Sequence, residues 1–220
     1  MNFLKVIRQA HRLLAVGLGV FILLHLTVHL TALGGPQMHN QSLKMVQWIY
    51  RNPLVEPLLV LAIIGQAATG LKMLVRKWQM PNKGLWSWAQ IVSGLMLAWF
   101  IIQHASAALI SRHVIGLDTN FYWVAGPLQN ETLRIVFLPY YFLLAFGVFL
   151  HIGAFAYFKN KRDQKIAVAI VAIGAVVSTT IVATFSGVFF PISIPPEYSR
   201  AYNALATGNS PALCLWHQVC

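Results

Sequence analysis

Acidic side chains and cysteines are the scarcest chemistry in this sequence. Five Asp and Glu stand against sixteen Lys and Arg in 220 residues, and Cys214 and Cys220 are the only cysteines. Charged residues of both signs amount to 10% of the chain, while 58% is hydrophobic. A water-soluble domain carries about a quarter of its residues as charges, so this composition excludes one. The polar stretches between apolar runs are short, which leaves no room for a nucleotide-binding or hydrolytic domain. Any catalytic groups of a reaction this chain serves must sit largely on partner subunits.

What the sequence does have is long apolar runs, with a mean hydropathy of +0.65. A helix needs about 20 mostly apolar residues to cross a hydrocarbon core. Five windows qualify: 13–33, 55–75, 87–110, 135–158 and 166–194, leaving a tail over 195–220. The expected fold is a single all-α bundle of five transmembrane helices. Lys5, Arg8 and Arg12 ahead of the first run imitate a secretory signal. The run is too long for one and holds two histidines, so it is expected to stay as an anchor.

Basic residues alternate by side. The N-terminus, the second connection (Lys72, Arg76, Lys77, Lys83) and the fourth (Lys159, Lys161, Arg162, Lys165) hold eleven. The opposite side holds Lys44, Arg51, Arg112, Arg134 and Arg200. The positive-inside rule then puts the N-terminus in the cytoplasm and the C-terminal tail outside. A net charge of +11 distributed this way fits anionic lipid or a docked peripheral protein better than nucleic acid. Cys214 and Cys220 fall in the outward tail, where a disulfide, free thiols or, with His217, a metal site remain open alternatives.

Ionisable residues inside spans are costly and default to functional candidates. His25 and His29 lie in the first window, His104 in the third and His151 in the fourth. Neutral imidazole is a good axial ligand for haem iron, and two facing helices supply the two ligands. Measured along each helix, His25 and His104 fall at similar depth in the outer half and can share one haem. His151 lies toward the cytoplasmic side. Its opposite number on the second span is not a histidine but Gln66, within Gly65-Gln66-Ala67-Ala68-Thr69-Gly70. Small residues beside His151 (Gly147 and Ala154) leave space for a flat macrocycle and equally suit close helix packing. His29, one turn from His25, suits a propionate, a quinone or a polar helix contact. His11, His39, His113 and His217 fall at or beyond the expected membrane boundaries and read as interfacial residues.

The run Arg8-Gln-Ala-His11-Arg12-Leu-Leu-Ala, followed by Gly-Val-Phe-Ile-Leu-Leu-His25-Leu-Thr-Val-His29, resembles the first helix of the five-helix cytochrome b anchor of succinate dehydrogenases and fumarate reductases. The likeness continues through Arg51-Asn-Pro-Leu-Val-Glu56, Trp88-Ala-Gln-Ile-Val-Ser-Gly94 with His104, and the span with His151, covering roughly residues 8 to 190. In that family, histidines on helices one and three hold an outer haem b, and those on helices two and four an inner one. The resemblance implies His25 and His104 as the outer pair and His151 as one inner ligand, with Gln66 standing where the other would be. One haem is therefore expected, with two as the alternative.

The resemblance also implies flavoprotein and iron–sulfur subunits on the cytoplasmic face of a bacterial-type inner membrane, passing electrons to or from quinone. Glu56 is then a candidate proton acceptor for quinol, and His11 and Arg12 candidate contacts for a quinone or the docked subunit. Two other classes stay open: a different di-histidine cytochrome b, and a haem-free membrane protein whose buried histidines move protons.

Overall fold

The computed structural model describes residues 3–81, 84–160 and 163–209; Cys214, His217 and Cys220 lie outside them. Every regular element among the described residues is helical. Five helices are long and apolar enough to cross a membrane, and they fall on the five expected windows. They are α1 (Phe3–Leu30), α3 (Val55–Trp78), α4 (Leu85–Ile110), α6 (Glu131–Lys159) and α7 (Gln164–Phe185). Three shorter helices, α2 (Pro36–Tyr50), α5 (Phe121–Gln129) and α8 (Pro196–Ala206), join them at the end of the bundle opposite the N-terminus.

Local chemistry sets the boundaries. Asn130 caps α6 by accepting from the backbone N–H groups of Thr132 and Leu133 at 3.1 Å, with Glu131 in the first turn and Lys159 in the last. Asp163 caps α7 in the same way through Lys165 N–H at 2.9 Å. After α1, a 3-10 turn (Thr31–Gly34) ends at Gly35, whose φ of 92° favours a residue without Cβ. Pro36 then starts α2 at a position where a missing N–H costs nothing. This reversal lays α2 across the end of the bundle.

Pairwise packing runs α1–α3–α4–α6–α7, and α7 returns to touch α1. The closest pair, α6 and α7, meets through small residues: Gly174 lies against Phe149, and Gly153 against Val171 and the Ala167 carbonyl. Without a hydrophobic drive between helices in lipid, such close approach supplies dispersion contacts instead. Large apolar side chains point outward, including Leu13, Val16, Leu58, Leu61 and Ile135. An apolar exterior on this scale is a surface for lipid.

The fifth helix is shorter than its hydropathic window. It stops at Phe185, and the chain turns through Gly187, at a φ of 81°, before reaching Ile194. Hydropathy alone does not register the turn, because Val188, Phe189 and Phe190 keep the window apolar. Nor is the tail uniformly irregular. Residues 196–206 form α8, which docks on α5 where Tyr202 covers Gly126 and its hydroxyl donates to the Trp123 carbonyl at 2.6 Å.

Candidate functional site: two histidine layers inside the bundle

Two polar layers interrupt the apolar interior: an outer one, in the half nearer the short helices α2, α5 and α8, and an inner one, in the half nearer the N-terminus. The outer layer begins on α1, where His25 and His29 sit one turn apart on one face. The α4 residue His104 approaches His25 with ring centres 5.9 Å apart and planes crossed at 69°. Helix α3 packs against both α1 and α4, and the two histidine side chains meet across the bundle.

Aromatic rings enclose this layer. Phe21 stacks on His25 at 5.6 Å, Trp123 meets His104 edge-on at 5.7 Å, and Phe185 abuts both His29 and His39. Trp123 is itself held by its indole N–H, donated to Ser111 Oγ at 2.9 Å.

His39 departs from its expected place at the interface. It is fully buried and stacks on His29 at 5.5 Å. The cause is the Gly35–Pro36 reversal, which turns α2 inward so that His39, Leu43 and Gln47, spaced four apart, form its buried face. That spacing was present in the sequence, but a stripe containing His and Gln does not register as apolar. Burial lowers the His39 pKa to about 4, so the ring is neutral near pH 7.

Neutral rings carry one N–H each, and this orders the whole layer. Asn40 Oδ1 accepts from the Phe121 backbone N–H at 2.9 Å, which fixes its amide orientation. His39 Nδ1–H therefore donates to the same oxygen at 3.3 Å. His39 Nε2 must then accept from His29 Nδ1–H at 3.4 Å, and His29 Nε2 from His25 Nε2–H at 3.1 Å. His25 is left with a bare Nδ1. That atom and His104 Nδ1 are both buried without a hydrogen-bond partner. Each such orphan costs about 1–3 kcal/mol, so each of the two nitrogens calls for a partner.

Two imidazoles that each keep a free buried nitrogen are donors of the kind that hold haem iron. Their rings meet edge-on, with centres 5.9 Å apart. Hydrogen bonding at the far nitrogen, as His29 provides for His25, is the usual way a ligating imidazole is held.

The inner layer joins α1, α3, α4 and α6. Thr69 donates its hydroxyl to the Gly65 carbonyl at 2.7 Å, so His11 Nδ1–H donates to Thr69 Oγ1 at 3.0 Å. His11 Nε2 accepts from the Gln66 amide at 3.3 Å. Gln66, expected opposite His151, is thus held by His11, while His151 Nδ1 pairs with Ser93 Oγ at 3.0 Å. His11 belongs to this layer rather than to the boundary, because α1 begins well before its apolar window. Arg12, next to it, is exposed.

Glu56 lies at the far end of α3 in an ion pair with Arg112, with His113 Nε2 at 3.9 Å. Arg51 and Asp118 pair nearby at 2.9 Å. These contacts tie the start of α3 and the end of α2 to the segment after α4. No family model, curated protein or solved structure matches the chain.

Proposed function

We propose that this chain is a haem b-binding, quinone-reactive membrane anchor that passes electrons between an iron–sulfur and flavoprotein partner and membrane quinone, as in succinate dehydrogenase or fumarate reductase. One observation carries the reading. Two half-buried imidazoles, His25 on α1 and His104 on α4, have ring centres 5.9 Å apart, and each keeps a buried Nδ1 without a partner. His25 and His104 would hold the haem iron, and the haem would supply one-electron chemistry there. His29 holds His25, and Phe21, Trp123 and Phe185 keep water from the site.

One haem per chain is proposed, because the Gln66 amide is a poor iron ligand and is engaged by His11. The side rich in Lys and Arg faces the cytoplasm of a bacterial-type cell, and there the hydrophilic subunits dock. Glu56, paired with Arg112, serves the architecture of the opposite end rather than a quinol.

Haem content of the purified chain, together with reduction of that haem by a hydroquinone, tests the proposal. A ratio near one haem per chain and reduction by hydroquinone support it. No haem, or haem that hydroquinone and the partner subunits leave oxidised, overturns it. The ordered imidazole chain from His25 to Asn40 favours a second reading, a haem-free proton path, which predicts no Soret band.

A further inference from the structure

His11, Gly70, Ser93 and His151 each lie eight residues from the end of their helix at the basic face, counted from Phe3, Trp78, Leu85 and Lys159. At about 1.5 Å per residue they share one level, roughly 12 Å in from that face. Contacts link them around the layer. A Cβ on Gly70 would meet His11 Cε1 at 3.2 Å, and one on Gly94 would meet both His151 Cε1 at 3.5 Å and Leu74 Cδ1 at 3.8 Å. Gly70 thus leaves room for the His11 ring, and the His151 ring lies beside Gly94.

The hydrogen-bond accounting of this layer does not close. His11 is satisfied on both nitrogens, by Thr69 and by the Gln66 amide. The other end of that amide, Gln66 Oε1, is buried and has no partner. An unpaired acceptor in an apolar span asks for a donor. Phosphate and carboxylate oxygens do not answer, because they too only accept. A hydroxyl that enters from the hydrocarbon, beside imidazole and glycine, does.

We propose that the inner layer is the binding site for a hydroquinone head group, with one ring hydroxyl donating to Gln66 Oε1 and His151 meeting the ring's second oxygen. This deepens the quinone-reactive reading and rests on it, assigning quinol to the half of the bundle in which Gln66, one turn deeper along α3 than Gly70, reaches His11. His11 and Thr69 act as positioning residues. They hold the Gln66 amide by its nitrogen and so turn its oxygen inward. Ser93 holds His151 from α4 in the same manner.

The test uses the full chain in detergent and three probes: a short-tailed hydroquinone, its oxidised quinone and its dimethyl ether. The ether keeps the ring but has no O–H. Satisfying a buried acceptor is worth about 1–3 kcal/mol, so the hydroquinone is expected to bind about 5- to 150-fold tighter than the ether. Gln66→Met removes the acceptor at similar volume and is expected to abolish that preference while the haem absorption stays unchanged. Equal affinity of hydroquinone and ether for the unsubstituted chain overturns the proposal without relying on any variant to fold. So does a full hydroquinone preference retained in Gln66→Met. A chain that lacks haem but binds hydroquinone through Gln66 would instead overturn the assignment of His25 and His104.

Discussion

Gly174 on α7 and Phe149 on α6 occupy adjoining space so closely that a Cβ at position 174 would overlap the Phe149 side chain. The α6–α7 pair makes the most extensive contact in the bundle. Gly174→Leu is therefore expected to lower stability by about 1–3 kcal/mol or more through overpacking. Gly147 on α6 offers a built-in control, because its Cβ would meet Leu97 at an ordinary 3.6 Å. Thermal unfolding in detergent should show a clear loss for Gly174→Leu and almost none for Gly147→Ala.

The ion pair between Arg112 and Glu56 is largely sheltered, with side-chain exposures of 12% and 23%. Its worth lies between that of an exposed pair and a buried one. Arg112→Ala is expected to cost roughly 1–3 kcal/mol, with a similar loss in Glu56→Gln and little further loss in the double variant. Full additivity of the two losses would mean that the residues do not support each other. Quinol oxidation should survive Glu56→Gln in protein that remains folded.

Burial holds His39 at a pKa of about 4 against 6.5 for the free ring. The unfolded chain thus binds the proton more readily than the folded one between these values. The contribution of a neutral His39 is fully present above about pH 6.5 and is lost as pH falls toward 4. The difference corresponds to at most about 3 kcal/mol. Unfolding followed from pH 7 to 4 should fall less steeply in His39→Gln than in the unsubstituted chain; identical slopes would contradict the burial argument.

His39 also ends the chain of imidazoles that leaves His25 Nδ1 bare. Gln at this position can still donate to Asn40 and accept from His29, whereas Phe can do neither. An N–H that is hydrogen-bonded makes the ligating ring more basic and stabilises ferric iron. His39→Phe is expected to raise the haem midpoint potential, and His39→Gln to restore it. Redox titration checks both. An unchanged potential in His39→Phe would detach α2 from the site.

The five spans were legible because length and apolarity act over 20 or more residues and survive local exceptions. The depth match of His25 with His104 was legible for the same reason, since both lie in regular helix with a constant rise. What the sequence hid depended on reversals. His39 enters the site through one turn at Gly35–Pro36, and α7 ends at Gly187 inside an apolar run. His11 was obscured by the polar start of α1, since hydropathy marks the membrane-like part of a helix and not where the helix begins. Gln66 is held by a partner from α1, a pairing that depth along separate helices does not reveal.

The central claim is that His25 and His104 share one iron. The visible and EPR spectra of three single variants test it most directly. His25→Ala and His104→Ala are each expected to abolish the low-spin Soret band, while His151→Ala keeps it. The unsubstituted ferric protein should give a low-spin signal. A low-spin haem that persists in either His25→Ala or His104→Ala, or that vanishes in folded His151→Ala, would contradict the account.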